Sequence, residues 1–434
     1  MSRKIAHIVR TGRRIAPFDD PVGEVLVKQK PLAEHQREVL SELGYEARHI
    51  SAGEAISGDS HSSLLLHDDL YFNAATIREF LRVARDSPAS SQCAIAKDTA
   101  FARIFTPLQD KESPHWTRFP LFHLRGNDLS RCDVKVIDIH EHQVPIHVPP
   151  HMRGPTDPIV PLTTTPLVQI THAYDIIFAN VACLNVRFAE LLGSPTRKLL
   201  SVIRARSAHP ARVLSTLNKI GRNCDIHPTA YLEGAEIGSG VHIGANAVVR
   251  MSSIGDGCNI GDGSVVKHSV VGEGSVLFDD LTLGFAVCYP ETFLIHGPYH
   301  LSLFGRSSAM FATILDDFRL DGQPIRVQID GQLVAYPFAF IGSIIGHRTR
   351  VAGGSIISPG RILPNDILIF PSPGAVLTRI PRDVPRGVPL FVHDGTLKEA
   401  SDPSLKIEQV KHKQERSSSE NLWTVYKSVR TGGD

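Results

Sequence analysis

The residues best equipped for chemistry in this chain are a few histidines, arginines and paired carboxylates. His300 sits in a long aromatic-rich stretch, residues 279–344. An imidazole there can take a proton from an attacking hydroxyl or amine, as a general base does, or can be a loop histidine satisfied by its own neighbours. Arg319, in the same stretch, carries a planar fork suited to a phosphate or carboxylate. Asp68 and Asp69 follow the apolar run 64–66. Carboxylates at the carboxyl end of a buried strand stand where α/β folds bind ligands; otherwise they form a solvated turn. Arg13 and Arg14 can meet a phosphate or be plain surface charges. His140, His142, His147 and His151 crowd among prolines. HxH spacing can hold a metal, yet no third ligand type lies beside them, which favours an irregular polar loop. His242 and His268 lack the close histidine partner that a shared metal would need.

Elements of regular geometry must position these groups, and the strongest signal is an internal repeat. Bulky aliphatics recur at Ile226, Leu232, Ile237, Ile243, Val249, Ile254, Ile260, Val266, Val271 and Leu277. The steps are six or five, so three of them make a coil of 17 residues. The pairs Ile237-Gly238, Ile254-Gly255 and Val271-Gly272 fall on one corner. This is the pattern of a triangular parallel β-helix: one aliphatic per side points inward, and Gly, Asn, Asp or Ser turns the corners. A second run, Ile345, Val351, Ile357, Leu363 and Ile369, is spaced by six throughout. Residues 279–344 between the runs lack the phase and read as an insertion, and loops of that length are usually functional.

Residues 1–205 alternate apolar runs with helical patterns. A strand over 4–9, a helix over 33–43 stopped by Gly44, a buried strand over 64–66 and a helix over 75–85 predict an α/β domain with a parallel sheet. Residues 206–224 form a linker whose 212–220 portion predicts a short helix plugging the first coil. The β-helix spans 225–394. The charged tail 395–434 predicts partial disorder, with a helix over 420–429.

Several motifs carry a resemblance. His300-Leu301-Ser302-Leu303-Phe304-Gly305 resembles the H-L-[ST]-Y-[LV]-G stretch of bifunctional uridyltransferase/acetyltransferases, and Phe318-Arg319-Leu320-Asp321-Gly322 sits where that family has N-Y-D-G. Gly12-Arg13-Arg14-Ile15-Ala16-Pro17 and Lys30-Pro31-Leu32-Ala33-Glu34-His35 resemble the G-x-R-[LM]-x-P and G-K-P-L-[IV]-E-H of sugar-phosphate nucleotidyltransferases. His172-Ala173-Tyr174-Asp175-Ile176-Ile177-Phe178-Ala179-Asn180 is similar to their P-W-D-L-L-x-x-N. The resemblance implies a nucleotidyltransferase-like α/β domain joined to an all-β, left-handed parallel β-helix of hexapeptide repeats. It also implies His300 as the base of acetyl transfer from acetyl-CoA, Arg319 and Asp321 at the acceptor, Arg13 and Arg14 at a nucleotide, and Asp69 on Mg2+. This sequence departs from the pattern at the phosphate loop. Ile8-Val9-Arg10-Thr11 stands where glycines should let backbone amides approach a triphosphate. Val22 stands where the family lysine should be, so the electrostatics of phosphoryl transfer are largely missing.

Composition narrows the field. Lys+Arg total 46 against 45 Asp+Glu, so no global basic field recruits nucleic acid or an anionic membrane. No apolar run reaches the roughly 18 residues of a membrane span, and six scattered cysteines without a CxxC pair suit a reducing cytoplasm. The expected partner is a sugar or nucleotide-sugar, with a homotrimer as the assembly because flat prism faces suit closed cyclic symmetry. Three functions stay open: acyl transfer at the β-helix beside a largely inactive first domain, non-catalytic sugar-nucleotide binding or regulation, and sugar-1-phosphate nucleotidyl transfer.

Overall fold

A computed structural model describes residues 4–51, 63–109, 112–125, 132–146, 159–384 apart from 316, 320, 322, 330, 338 and 339, and 390–399. The expected helix over 420–429 lies outside the described residues, as do His147, His151 and Leu320. The chain forms two compact units, Met1–Phe370 and Pro371–Asp434. In the second, a hairpin pairs Leu390–His393 with Thr396–Glu399.

The first unit begins with a six-stranded sheet in the spatial order Tyr45–Ser51, Lys4–Arg10, Ser63–His67, Trp116–Leu124, Ser90–Ala96, Cys132–Val136. The expected all-parallel arrangement is not what forms. Lys4–Arg10 is parallel to both neighbours, but Trp116–Leu124 runs antiparallel to both of its own. The chain leaving Ser90–Ala96 passes only the short helix α3 (Ala100–Phe105) before pairing back on the same strand. The helix α1 (Leu32–Glu42) buries Leu32, Gln36, Val39 and Leu40, one stripe at helical spacing, and Gly44 at φ 79° turns the chain after it. The helix α2 (Ala74–Ala84) is capped by Asn73, whose side chain accepts from the Thr76 amide.

Against the expectation of no such run, the helix α4 (Ala173–Gly193) is long and apolar enough to cross a membrane by length and composition. Most of it is buried inside the protein, as befits a core helix. Two short helices follow, α5 (Pro195–Ala205) and α6 (Pro210–Ser215), each with Pro in its first turn. Leu214 and Leu217, at and after the end of α6, pack with Phe188 and Met251.

From Lys219 to Ile369 the chain winds through stacked coils whose strands form three parallel sheets. Pairing steps by one period, Ile237 on Ile254, Ile243 on Ile260 and Val249 on Val266, and these residues fill the prism. The expected insertion over 279–344 is shorter than the aliphatic count suggested. Coils continue through Leu283, Cys288, Leu294, Tyr299, Phe304, Met310 and Leu315, all of them buried. Sulfur-containing and aromatic side chains there take inward positions that Ile, Val and Leu hold elsewhere, so the phase persists while its signature fades. The true excursion lies between Leu315 and Ile344 and carries the hairpin Arg326–Ile329 with Gln332–Ala335.

One prism face is closed by the α/β domain. Its outward residues Val270, Val287, Leu303 and Ile344 are buried in the same core as Ile176 and Ile177 of α4. Tyr336 from the excursion stacks on Phe178 at 6.1 Å. Polar contacts fix the register: Gln29 Nε2 donates to the Val271 carbonyl at 2.7 Å, the Leu26 amide donates to the Tyr289 hydroxyl at 3.2 Å, and Lys28 and Arg187 both reach Glu236, at 2.5 and 2.6 Å.

Asp20 anchors a second patch of this seam, accepting from Arg306 at 2.7 Å and from His347 Nε2 at 3.2 Å. The Arg306 amide donates to His347 Nδ1, which leaves the ring proton on Nε2, facing Asp20. Burial raises the Asp20 pKa, but hydrogen bonds from His347 and Arg306 outweigh it and the carboxyl ends below its ordinary 3.8. A depressed carboxyl contributes stability above its unfolded value and loses that contribution as pH falls through its folded value. Denaturant unfolding followed from neutral pH down to about pH 3 should therefore show an acid loss of stability that is smaller in Asp20→Asn; identical slopes in the two proteins would refute this.

Candidate functional site

Two places gather the chemically capable residues. The first lies at the carboxyl ends of strands Lys4–Arg10 and Ser63–His67. Gly12, at φ 67°, bends the chain so that Thr11 donates through its amide and hydroxyl to Asp68 Oδ1, at 3.1 and 2.7 Å. Asp69 is fully buried; Gln169 Nε2 donates to its Oδ2 at 3.0 Å and Arg13 Nε approaches the same oxygen at 3.5 Å. Burial raises the Asp69 pKa, opposed by Gln169 and Arg13. Arg14 turns away and pairs with Asp19. Gln169, the partner of Asp69, also borders a cavity of about 370 Å³ with His67, Gln92, Glu112, Arg118, Phe119 and Pro120.

This constellation offers the expected Mg2+ an incomplete ligand set among the described residues. A divalent ion needs several charged oxygens around it; here Asp69 keeps Oδ2 on an amide and a guanidinium while its Oδ1 is buried without a hydrogen-bond partner, and Asp68 keeps Oδ1 on Thr11. No group of three or more potential metal ligands occurs among the described residues. Val22, where a phosphate-binding lysine was sought, is a core residue. His140 pairs with Asp138 at 3.1 Å, but the expected irregular loop is not what forms around His142, which lies in the strand Glu141–Pro145 paired with Ile159–Thr163.

The second place is the edge of the third prism face. His300 ends the strand Tyr299–His300, in register with Gly284 one coil below. Its Nδ1 lies 2.8 Å from Asp317 Oδ2. A carboxylate only accepts, so Nδ1 carries the proton and Nε2 presents a lone pair. The His300 ring lies across Gly284: a Cβ built there would meet its Cδ2 at 2.6 Å and its Nε2 at 3.3 Å. Asp317 is fixed in turn, because the Ile341 amide donates to its carbonyl at 2.8 Å and Phe318 bridges to Phe340. The Phe340 ring sits 5.8 Å from that of His300, and the imidazole stays 30% exposed, reachable by a solute.

Arg319 and Asp321 are not drawn to His300. They grip each other in a two-bond pair on the surface, and Arg319 holds the Asp321 carboxyl down at about 2. Asp317 takes the place beside the imidazole instead. The sequence held one clue to it: His300 and Asp317 are 17 residues apart, the period of the first repeat run and one more than the 16-residue step of the coils beside His300.

No protein-family model matches the chain and no curated protein does. Among solved structures, a mutant of perosamine N-acetyltransferase from Caulobacter crescentus, in complex with CoA and GDP-perosamine, is 15% identical with a TM-score of 0.19. The match covers 40% of this chain and 60% of that one. A hexapeptide transferase family protein from Anaplasma phagocytophilum is 17% identical with a TM-score of 0.16, over 34% of this chain and 76% of that one.

Proposed function

We propose that this protein is a hexapeptide-repeat acyltransferase that moves an acetyl group from acetyl-CoA to an amine or hydroxyl of a sugar or nucleotide-sugar. The observation that carries the reading is the dyad of His300 and Asp317, with Nε2 unencumbered above Gly284. His300 Nε2 takes the proton as the acceptor's nitrogen or oxygen attacks the thioester carbonyl. The new bond to carbon forms, the carbon–sulfur bond breaks, and the CoA thiolate recovers the proton from the imidazolium. Asp317 holds the tautomer and steadies the cation, the division of labour of a base and its orienting carboxylate. We read the coils as left-handed, the assembly as a homotrimer and the setting as cytoplasmic. The test is release of CoA thiol from acetyl-CoA in the presence of amino sugars, their phosphates and their nucleotide derivatives; no release with any of them sinks the proposal.

A sugar-nucleotide-binding protein without turnover is the second reading, favoured by the state of the first site. Asp69 is buried against Gln169 and Arg13, and Val22, where the resemblance calls for a phosphate lysine, lies in the core, which speaks against nucleotidyl transfer by the first domain. Pyrophosphorolysis of UDP- and dTDP-sugars should be undetectable. Robust turnover that vanishes in Asp69→Asn would restore nucleotidyl transfer as the function.

A further inference from the structure

A cavity of about 460 Å³ opens at the end of the six-stranded sheet opposite Asp68 and Asp69. Lys4 at the start of the strand Lys4–Arg10, Arg125 just past the antiparallel strand Trp116–Leu124, and the last turns of α2 meet there. Its wall carries Lys4, Arg78, Arg82, Arg85, His123 and Arg125, and no carboxylate among the described residues. The three α2 arginines reach it because steps of four and three put them on one helical face. The net charge of the whole chain is only +1, so the gathering is local.

Counter-ions reach only part of this cluster. Arg78 pairs with Glu42 at 2.7 Å, and Glu79 fills the fork of Arg82 at 2.6 and 2.8 Å. Lys4, Arg85 and Arg125 have no carboxylate partner among the described residues. Arg125 donates to the Arg85 carbonyl, and Lys4 Nζ stands 5.6 Å over the Tyr45 ring, but neither contact cancels a charge. Three unpaired cations around one concavity repel one another, and a bound anion relieves that cost. The inner wall is different in kind. His123 and Tyr45 line the cavity yet are each only 6% exposed. Burial, with the Arg125 charge beside it, holds the His123 pKa below its ordinary 6.5, so the ring is neutral at physiological pH. Charges outside and a buried polar ring within make a pocket of small-molecule size rather than a flat basic surface.

We propose that this cavity binds a small oligophosphate, the di- or triphosphate of a nucleotide or of an inorganic chain, on Lys4, Arg85 and Arg125. Three unpaired positive charges match such a group, whereas one phosphate, at most about −2 at neutral pH, leaves a cation uncompensated. The site is separate from the Asp69 end of the sheet, which lies about 20 Å away along the seven residues of Lys4–Arg10. It stands independently of acyl transfer at His300.

The test titrates the full-length protein, without divalent cations, with sodium tripolyphosphate, orthophosphate, ATP and a single-stranded DNA oligonucleotide, followed by calorimetry. Tripolyphosphate should bind at least about 10-fold more tightly than orthophosphate. Lys4→Ala and Arg85→Ala should each weaken it about 10-fold, the usual order for one hydrogen-bonded charge. Both side chains are exposed, so the melting temperature without ligand should not move. Arg85→Lys should keep most of the affinity, and Arg13→Gln, at the other end of the sheet, should bind as wild type does. ATP binding more tightly than tripolyphosphate supports the proposal with a nucleotide whose base rests on Tyr45 and Leu81; equal affinity supports it with the phosphate chain alone. No binding by wild type, affinity untouched in Lys4→Ala and Arg85→Ala, or equal weakening in Arg13→Gln overturns it. DNA bound as tightly per phosphate also overturns it, and makes the rim a nucleic-acid surface instead.

Discussion

His300→Ala should lower the rate of acetyl transfer roughly 100-fold or more, the usual worth of a positioned general base, while leaving the melting temperature nearly unchanged. The ring is partly exposed and its one polar side-chain contact is Asp317, so little packing is lost with it. Asp317→Asn separates positioning from proton transfer. An amide at that site can donate to Nδ1, which favours the tautomer whose Nε2 bears hydrogen and cannot accept the acceptor's proton. The rate at neutral pH should fall by at least 10-fold, with the KM for acetyl-CoA unaltered. An Asp317→Asn protein with wild-type kcat would remove the dyad from the mechanism, and a His300→Ala protein with wild-type kcat would remove the base itself.

The second large effect concerns stability. Val287 faces out of the prism, yet only 1% of it is exposed because the α/β domain covers it. Val287→Asp would bury an unpaired carboxylate in that seam and should cost about 3–5 kcal/mol. Asn259→Asp, on an exposed position of another face, should cost less than about 0.5 kcal/mol. Denaturant midpoints of the two variants provide the check. Comparable stabilities would mean that the seam opens readily in solution.

The contrast between Val287 and Asn259 shows what the sequence could convey. Inward aliphatics were legible because a 17-residue period leaves few alternatives, and helix α1 was legible from its stripe and terminal glycine. The coils through Tyr299, Phe304 and Met310 were not, since what the prism demands is volume and apolarity rather than a particular residue. Outward Val270, Val287, Leu303 and Ile344 each precede an inward apolar residue. That doubling marks a strand covered on both sides, but nothing local says what covers it. The reversed strand Trp116–Leu124 alternates like any half-buried strand, and its direction depends on a partner chosen by the whole sheet. That Gln169 donates to one oxygen of Asp69 could not be read locally, because the two residues lie 100 positions apart. Asp317 was within reach, 17 residues after His300.

The seam also governs how the molecule loses structure. A free-standing solenoid touches only its nearest neighbours, so it can fray from either end, one repeat at a time. Here the α/β domain covers outward residues drawn from several successive coils, Val270, Val287, Leu303 and Ile344, which share its core. Those coils are thereby tied to a common partner, and opening any of them disturbs what the others rest on. Native-state hydrogen exchange should accordingly show near-uniform protection in the strands of Val270, Val287, Leu303 and Ile344, whereas the rung around Ile226, outside that shared core, should exchange through smaller openings.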